Sequence, residues 1–138
     1  MIKLRLKKFY QGKLEKDLKN FRGPRKYKEW LVGDFKKFKG DIRKTGLLEL
    51  KYWEIKRGQE KKHKTKVQKS VGEITIILDG KAKGFIDKEE VVLEKDKYFY
   101  IPPGIVNNLI KIIESEKIKG LTIKAPSIPG DEIKIIKC

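Results

Sequence analysis

His63 is the only histidine in the chain and Cys138 is the only cysteine. A single cysteine excludes a disulfide framework and a cysteine-rich zinc site, and a single histidine leaves most metal and triad chemistry without ligands. A lone histidine can still act as a general base near neutral pH. Lysines lie close to His63 on both sides, so a solvated position in a basic hairpin is the alternative for this residue.

Two short stretches place polar side chains on one face of a predicted strand, because side chains alternate between the two faces. Glu49, Lys51 and Trp53 share such a face, and an indole beside ionic groups suits a polar ring such as a sugar. A core position is the alternative for Trp53. An extended strand over residues 62–69 likewise has one face made of His63, Thr65, Val67 and Lys69.

The elements that must position these residues are predicted to be mostly short strands. Period-2 alternation and β-branched runs predict short elements, most of them strands, over residues 29–38, 47–55, 73–78, 81–86, 90–93, 98–101, 108–113, 121–124 and 132–136. Turn residues separate them at the close spacing of an antiparallel sandwich or barrel. The Asp79-Gly80 pair predicts a hairpin between the strands on either side of it.

Residues 1–29 are predicted to form a basic N-terminal extension, and residues 30–138 a single β-barrel domain. Met1 to Phe9 alternates in the period of a strand, and this strand would present an unpaired edge. Leu14, Leu18 and Phe21 recur at helical spacing and predict a short helix, which Gly23-Pro24 would end.

The formal net charge of +16 comes entirely from the first half of the chain, since residues 70–138 contain equal numbers of basic and acidic side chains. This asymmetry favours an anionic partner. Most of the basic residues are Lys, whereas base reading and bidentate phosphate binding favour Arg, so sequence-specific nucleic-acid binding is not expected. Ion-pair networks of a heat-adapted protein are the alternative explanation for this composition.

A pair of motifs relates the chain to a known family. Glu73 is followed after six residues by Gly80, and Pro102-Pro103-Gly104 stands two residues before Asn107. In this order the sequence resembles the cupin superfamily, whose first motif ends in Glu, six residues and Gly, and whose second carries Pro-x-Gly, two residues and His. The resemblance covers residues 46–125 and implies a small double-stranded β-barrel that dimerises.

The metal ligands of that family are missing here. Metal-binding cupins place two His, one residue apart, shortly before the motif Glu, and a third His where this chain has Asn107. Without a gap those two positions are Val67 and Lys69, and with a four-residue insertion they are His63 and Thr65. Since neither alignment supplies three or four good donors, we expect no metal and no cofactor.

The resemblance implies that Glu73 points into the barrel, where a carboxylate without a partner would be costly. Lys69 is the candidate for the compensating ammonium, and water is the alternative environment for its side chain. We therefore predict that Lys69, Glu73 and Asn107 meet inside the barrel, with Thr75 on the same face as Glu73.

Metal-free sugar-nucleotide epimerases and isomerases of the superfamily use a lone His with an acidic residue and a Tyr. The resemblance gives three candidates for these roles, which are His63, Glu73 and Tyr100.

The sequence thus predicts an all-β, cupin-type double-stranded β-barrel, jelly-roll-like, that binds a small polar or anionic ligand of the sugar or phosphate type. The predicted ligand-binding residues are Glu49, Trp53, Thr65, Lys69, Glu73, Thr75 and Asn107. Two alternatives remain open: an isomerase or epimerase that uses His63, and non-specific binding of nucleic acid or an acidic partner through the basic first half. We expect a cytoplasmic homodimer that does not associate with membranes, since no apolar stretch approaches the roughly 20 residues of a membrane span.

Overall fold

A computed structural model describes residues 8–19, 28–62 and 65–135 of the chain. In these ranges helix α1 spans Leu14–Lys19, and two short 3₁₀ turns span Lys36–Phe38 and Glu60–Lys62. The strands are β1 Trp30–Val32, β2 Glu49–Lys56, β3 Lys66–Gln68, β4 Gly72–Asp79, β5 Lys81–Ile86, β6 Glu89–Glu94, β7 Tyr98–Ile101, β8 Asn107–Ile112, β9 Lys117–Ala125 and β10 Glu132–Lys134.

The strands form two five-stranded antiparallel sheets that face each other. Sheet A has the order β1-β2-β9-β4-β7, and sheet B has the order β10-β3-β8-β5-β6. Because side chains alternate along each strand, one face of each sheet is buried against the other sheet. On β9, for example, the buried side chains are those of Ile118, Gly120, Thr122 and Lys124. The predicted all-β, double-sheet architecture is confirmed.

The expected hairpin at Asp79-Gly80 is wrong, although both flanking strands exist. β4 pairs with β7 and β9 in sheet A, whereas β5 pairs with β6 and β8 in sheet B. The turn is therefore a corner at which the chain crosses from one sheet to the other. Gly80 has φ +88°, and a Cβ at this position would collide with the backbone of Lys117 and Ile118. The positive φ and the close backbone explain why this sharp turn contains glycine. They do not determine whether the flanking strands pair with each other.

Apolar side chains fill part of the space between the sheets. The buried cluster comprises Trp53, Ile55, Ile77, Ala82, Leu93, Ile112 and Ile118. Trp53 lies over Gly120 of the neighbouring strand, where a Cβ would overlap the indole ring. Three members of the cluster, Trp53, Ile55 and Leu93, also face the unfilled part of the space between the sheets.

Part of the predicted N-terminal extension lies outside the described residues. The strand expected over Met1 to Phe9 falls mostly on residues 1–7, and His63 also lies outside the described ranges. The helix expected near Leu14 is present as α1, whose Glu15 pairs with Lys119 of β9 at 3.7 Å. None of the helices in the described ranges combines the length and apolar character that crossing a bilayer requires.

Candidate functional site

A cavity of about 240 Å³ lies between the two sheets, beside the apolar cluster. The wall toward that cluster is apolar, and it is formed by Ile55, Phe85, Val91, Leu93, Phe99 and Leu109. The remaining wall carries six ionisable side chains, which are Lys51, Lys66, Glu73, Lys124, Glu132 and Lys134. The cavity is therefore amphipathic, with an apolar side and a charged side.

An ion pair crosses the charged side from one sheet to the other. Lys66 on β3 of sheet B donates from Nζ to Oε1 of Glu73 on β4 of sheet A at 3.0 Å. The Glu73 side chain is only 3% exposed, and that of Lys66 is 25% exposed. Nζ of Lys66 also lies 3.9 Å from Glu132, at the cavity edge. Lys66 thus links the two sheets through a buried carboxylate.

Glu73 is ionised at neutral pH despite its burial. Burial raises the pKa of its carboxyl, but the charges of Lys66 and Lys124 and the hydrogen bonds from Lys66 and Thr75 outweigh that effect, so the pKa lies below its ordinary value. The charged side therefore contains a carboxylate that is already neutralised by a neighbouring ammonium.

A hydrogen-bonded chain runs from Glu73 to the indole of Trp53. The Thr75 hydroxyl donates to Oε2 of Glu73 at 3.1 Å, and the Thr75 and Thr122 hydroxyl oxygens are 3.1 Å apart. Trp53 Nε1 donates to Oγ1 of Thr122 at 2.9 Å. A hydroxyl has one proton, and Thr75 uses its own on Glu73, so Thr122 must be the donor to Thr75. Every donor in this chain points toward the carboxylate.

Two further lysines approach the indole of Trp30 at the same side of the cavity. Nζ of Lys51 and Nζ of Lys124 each lie 5.4 Å from the centroid of the ring, within the range of cation–π attraction. Lys51 also pairs with Glu29 at 3.3 Å. Four lysines and two glutamates line the cavity, so its formal charge is positive.

Four of the predicted site residues, Trp53, Glu73, Thr75 and Asn107, line the cavity together. Register explains why they converge: Thr75 pairs with Thr122, and Asn107 pairs with Lys66. The sequence offered a ligand-facing position and a core position for Trp53. The structure combines the two, since Trp53 belongs to the apolar cluster and also lines the cavity.

Glu49 and Thr65 are predicted site residues that do not line the cavity. Glu49 shares the inward face of β2 and is 3% exposed, but its Oε1 accepts a hydrogen bond from Ser127 at 3.1 Å. Burial raises the pKa of Glu49, an effect that Lys124 and Ser127 reduce without reversing. The Thr65 hydroxyl accepts from Nδ2 of Asn108 at 3.2 Å, and Asn108 does line the cavity. Neither Glu49 nor Thr65 forms part of the cavity wall, and each is hydrogen-bonded to another side chain.

Two predicted positions are wrong. Lys69 is exposed and follows the end of β3, because Oδ2 of Asp131 accepts hydrogen bonds from the backbone amides of Ser70 and Val71 and turns the chain there. Tyr100 lies on the outer face of β7, 63% exposed, since Phe99 and Ile101 occupy the inward positions. Neither residue reaches Glu73.

Sequence reasoning missed Lys66, Lys124 and Asn108. The alternation of β3 assigned Lys66 to the face opposite Lys69, and that face is the inward one. The signal for Lys124 was available, because it occupies the inward parity of β9 between Glu49 of β2 and Glu73 of β4. In the described part of the chain, Oδ1 of Asn108 is buried and accepts no hydrogen bond.

Across residues 8–19, 28–62 and 65–135, no three His, Cys, Asp or Glu side chains are grouped so that they could hold a metal ion. Lys66 pairs with Asn107 in the sheet register and with Glu73 by charge, and these are two positions to which the resemblance assigns metal ligands in cupins. The general-base role considered for His63 falls on a residue outside the described ranges.

The architecture is shared with solved cupin-type structures. An uncharacterized conserved protein from Klebsiella pneumoniae with a double-stranded β-helix domain has a TM-score of 0.59 and 18% identity, over 67% of this chain and 78% of that chain. Streptomyces Pac13, solved with uridine and described as a nucleoside dehydratase, has a TM-score of 0.57 and 13% identity, over 70% of this chain and 73% of its own. The cupin domain of Schizosaccharomyces pombe Cnp3 has a TM-score of 0.51 and 21% identity, over 59% of this chain and 54% of its own.

These similarities show that the chain has the cupin double-stranded β-helix fold, as its motifs indicate. At such identities they show the fold alone. No protein-family model matches the sequence, and no curated protein matches it significantly.

Proposed function

We propose that this protein binds a small anionic molecule in the barrel cavity, with the phosphate or carboxylate group of the ligand among the lysines. The observation that carries the proposal is the excess of lysines over glutamates on the charged side of the cavity. Lys66 is already paired with Glu73 and Lys51 with Glu29, whereas Lys134 has no carboxylate within 4.0 Å in the described part of the chain. A ligand anion supplies the missing negative charge.

The apolar wall, Asn108 and the volume of the cavity indicate which features the rest of the ligand should have. Val91, Leu93 and Phe99 form an apolar surface suited to the face of a sugar or an aromatic ring. The free Oδ1 of Asn108 would accept a hydrogen bond from a ligand hydroxyl or N–H group. A volume of about 240 Å³ is slightly below the usual range of roughly 300 to 1,000 Å³ for ligand pockets, which favours a compact molecule. A sugar phosphate or a ring bearing a carboxylate has this combination of features.

Titration calorimetry with ribose 5-phosphate, 3-phenyllactate and neutral uridine tests the proposal. We expect at least one of the two anions to bind more tightly than uridine, the ligand named for the structural neighbour from Streptomyces. Preference for uridine would contradict the anionic assignment. A cavity ligand held by one anionic group should lose little affinity with added salt. Binding of duplex DNA that falls steeply with salt would instead support the alternative of non-specific binding through the basic first half.

Lys51→Met is the variant best suited to this test. It removes one cavity cation, and the partner that it leaves, Glu29, is already 43% exposed. We expect anion binding to weaken about tenfold, the usual effect of losing a hydrogen bond to a charged group. Lys97→Met is the matched control, since Lys97 is 47% exposed and does not line the cavity.

A further inference from the structure

Lys124 differs from the other lysines of the cavity in its surroundings. It is 8% exposed and stands on β9 between two carboxylate-bearing strands. Among the residues that the structure describes, no acidic side chain lies within 4.0 Å of its Nζ and no group accepts a hydrogen bond from it. Its Nζ lies 5.4 Å from the centroid of the Trp30 ring. The amine therefore faces the cavity without a direct counterion.

The charges around Lys124 come from every strand packed against it. The titratable groups that face it are Glu49 and Lys51 on β2, Lys66 on β3, Glu73 on β4, and Glu132 and Lys134 on β10. Burial lowers the pKa of Lys124, and Lys66 and Lys51 lower it further, while Glu132 and Glu73 oppose this without restoring the ordinary value. A desolvated lysine beside another cation is a general way to obtain a neutral, nucleophilic amine near physiological pH.

We propose that Lys124 is a nucleophilic amine that forms a Schiff base with a small carbonyl compound carrying an acidic group. This inference rests on the proposed function, because the anion bound among the other lysines is what brings the carbonyl carbon to Nζ. A 2-oxo acid with a flat apolar substituent has the required arrangement. Its carboxylate is adjacent to the carbonyl, and its substituent fits the apolar wall near Leu93 and Phe99.

The step is a condensation without oxidation or reduction. Neutral Nζ attacks the carbonyl carbon, a C–N bond forms, and the π electrons of the C=O bond move to oxygen. The nitrogen gives up its two protons, the carbonyl oxygen leaves as water with them, and a C=N bond remains. Lys66 lines the same cavity and would relay one of these two protons, giving its own to the departing oxygen and taking up the proton that the nitrogen loses.

Reductive trapping with phenylpyruvate and cyanoborohydride tests the assignment. We expect one adduct per chain by intact-protein mass spectrometry, located at Lys124 by peptide mapping. Lys124→Arg keeps the positive charge but removes the nucleophile, so the adduct should disappear. Lys97→Met, which lacks one exposed lysine, should keep it. The yield should reach its plateau at a lower pH than for an ordinary lysine, whose pKa is 10.5.

Calorimetry with 3-phenyllactate separates this inference from the proposed function, because this ligand has the carboxylate and the ring but no ketone. Binding of phenyllactate to the wild type and to Lys124→Arg, with an adduct only in the wild type, supports both. Binding without any adduct overturns the Schiff-base assignment alone, as does an adduct that persists in Lys124→Arg or is spread over exposed lysines. Failure of both ribose 5-phosphate and phenyllactate to bind overturns the proposed function and this inference with it.

Discussion

Removing Lys66 should destabilise the protein more than removing any other lysine of the cavity wall. Lys66→Met leaves the Glu73 carboxylate, 3% exposed, without its closest donor. Breaking a buried ion pair from one side costs about 3 to 5 kcal/mol. We expect about 3 kcal/mol, the lower end of that range, because the Thr75 hydroxyl and the charge of Lys124 still stabilise Glu73.

The partner variant and the double variant turn this expectation into a measurable coupling. Glu73→Leu should cost less, about 1 to 2 kcal/mol, because Lys66 is partly solvated and can turn toward Glu132. Replacing both residues with apolar side chains should be nearly neutral, within about 1 kcal/mol. The coupling free energy from the cycle should therefore exceed about 2 kcal/mol.

Urea unfolding followed by tryptophan fluorescence at pH 7 gives these free energies. Lys69→Met is the matched control, since Lys69 is an exposed lysine three positions along the chain, and its change should stay below about 0.5 kcal/mol. Additive changes below about 1 kcal/mol for Lys66→Met and Glu73→Leu would show that the pair does not contribute to stability. A larger effect of Lys69→Met than of Lys66→Met would refute the strand parity described for β3.

Four further predictions concern the same barrel. Because the pKa of Glu73 is lowered in the folded state, its contribution should be present above the ordinary carboxyl pKa of 4.5 and lost as pH falls through the lower folded value, and Lys66→Met should flatten this dependence in acid unfolding curves. Gly120→Ala should cost about 1 to 3 kcal/mol in thermal unfolding, since its Cβ overlaps the Trp53 ring, whereas Gly46→Ala, with open space around it, should not. Elemental analysis after dialysis against chelator should find no stoichiometric transition metal, and one Zn, Mn or Fe per chain would contradict this. Light scattering should return a symmetric homodimer rather than a monomer of 16.1 kDa.

Local pattern was sufficient for most strands of this fold. The predicted ranges for β5 and β7 match the structure, because period-2 alternation and turn residues bound them on both sides. Pattern did not predict which strands pair: the Asp79-Gly80 turn has the composition of a hairpin, yet β4 and β5 lie in different sheets. Pairing depends on contacts between distant segments, such as β4 with β9, that no local window contains.

The candidate site, like the fold, could be predicted only in part from local pattern. Motif spacing predicted that Glu73 and Asn107 face the same space, and both line the cavity, because each lies a fixed number of residues from a turn. It failed for the lysine, because the face that β3 presents to the cavity depends on its pairing with β8 and β10. Both partner strands lie far along the chain from β3, as does Asp131, whose carboxylate accepts hydrogen bonds from the amides of Ser70 and Val71 after β3 has ended. No local feature of residues 62–69 contains this information.

The ion pair between Lys66 and Glu73 also determines what the cavity can bind. Without a cation near it, a carboxylate buried to this extent would be protonated or would need a metal. Lys66 removes that need, so the negative charge of Glu73 is no longer available to neutralise the other lysines. Lys51 has Glu29 as its direct partner, while Lys124 and Lys134 have none within 4.0 Å in the described ranges. The proposed ligand anion would therefore be held among the other lysines of the cavity, and the proposed Schiff-base chemistry would take place at the amine of Lys124.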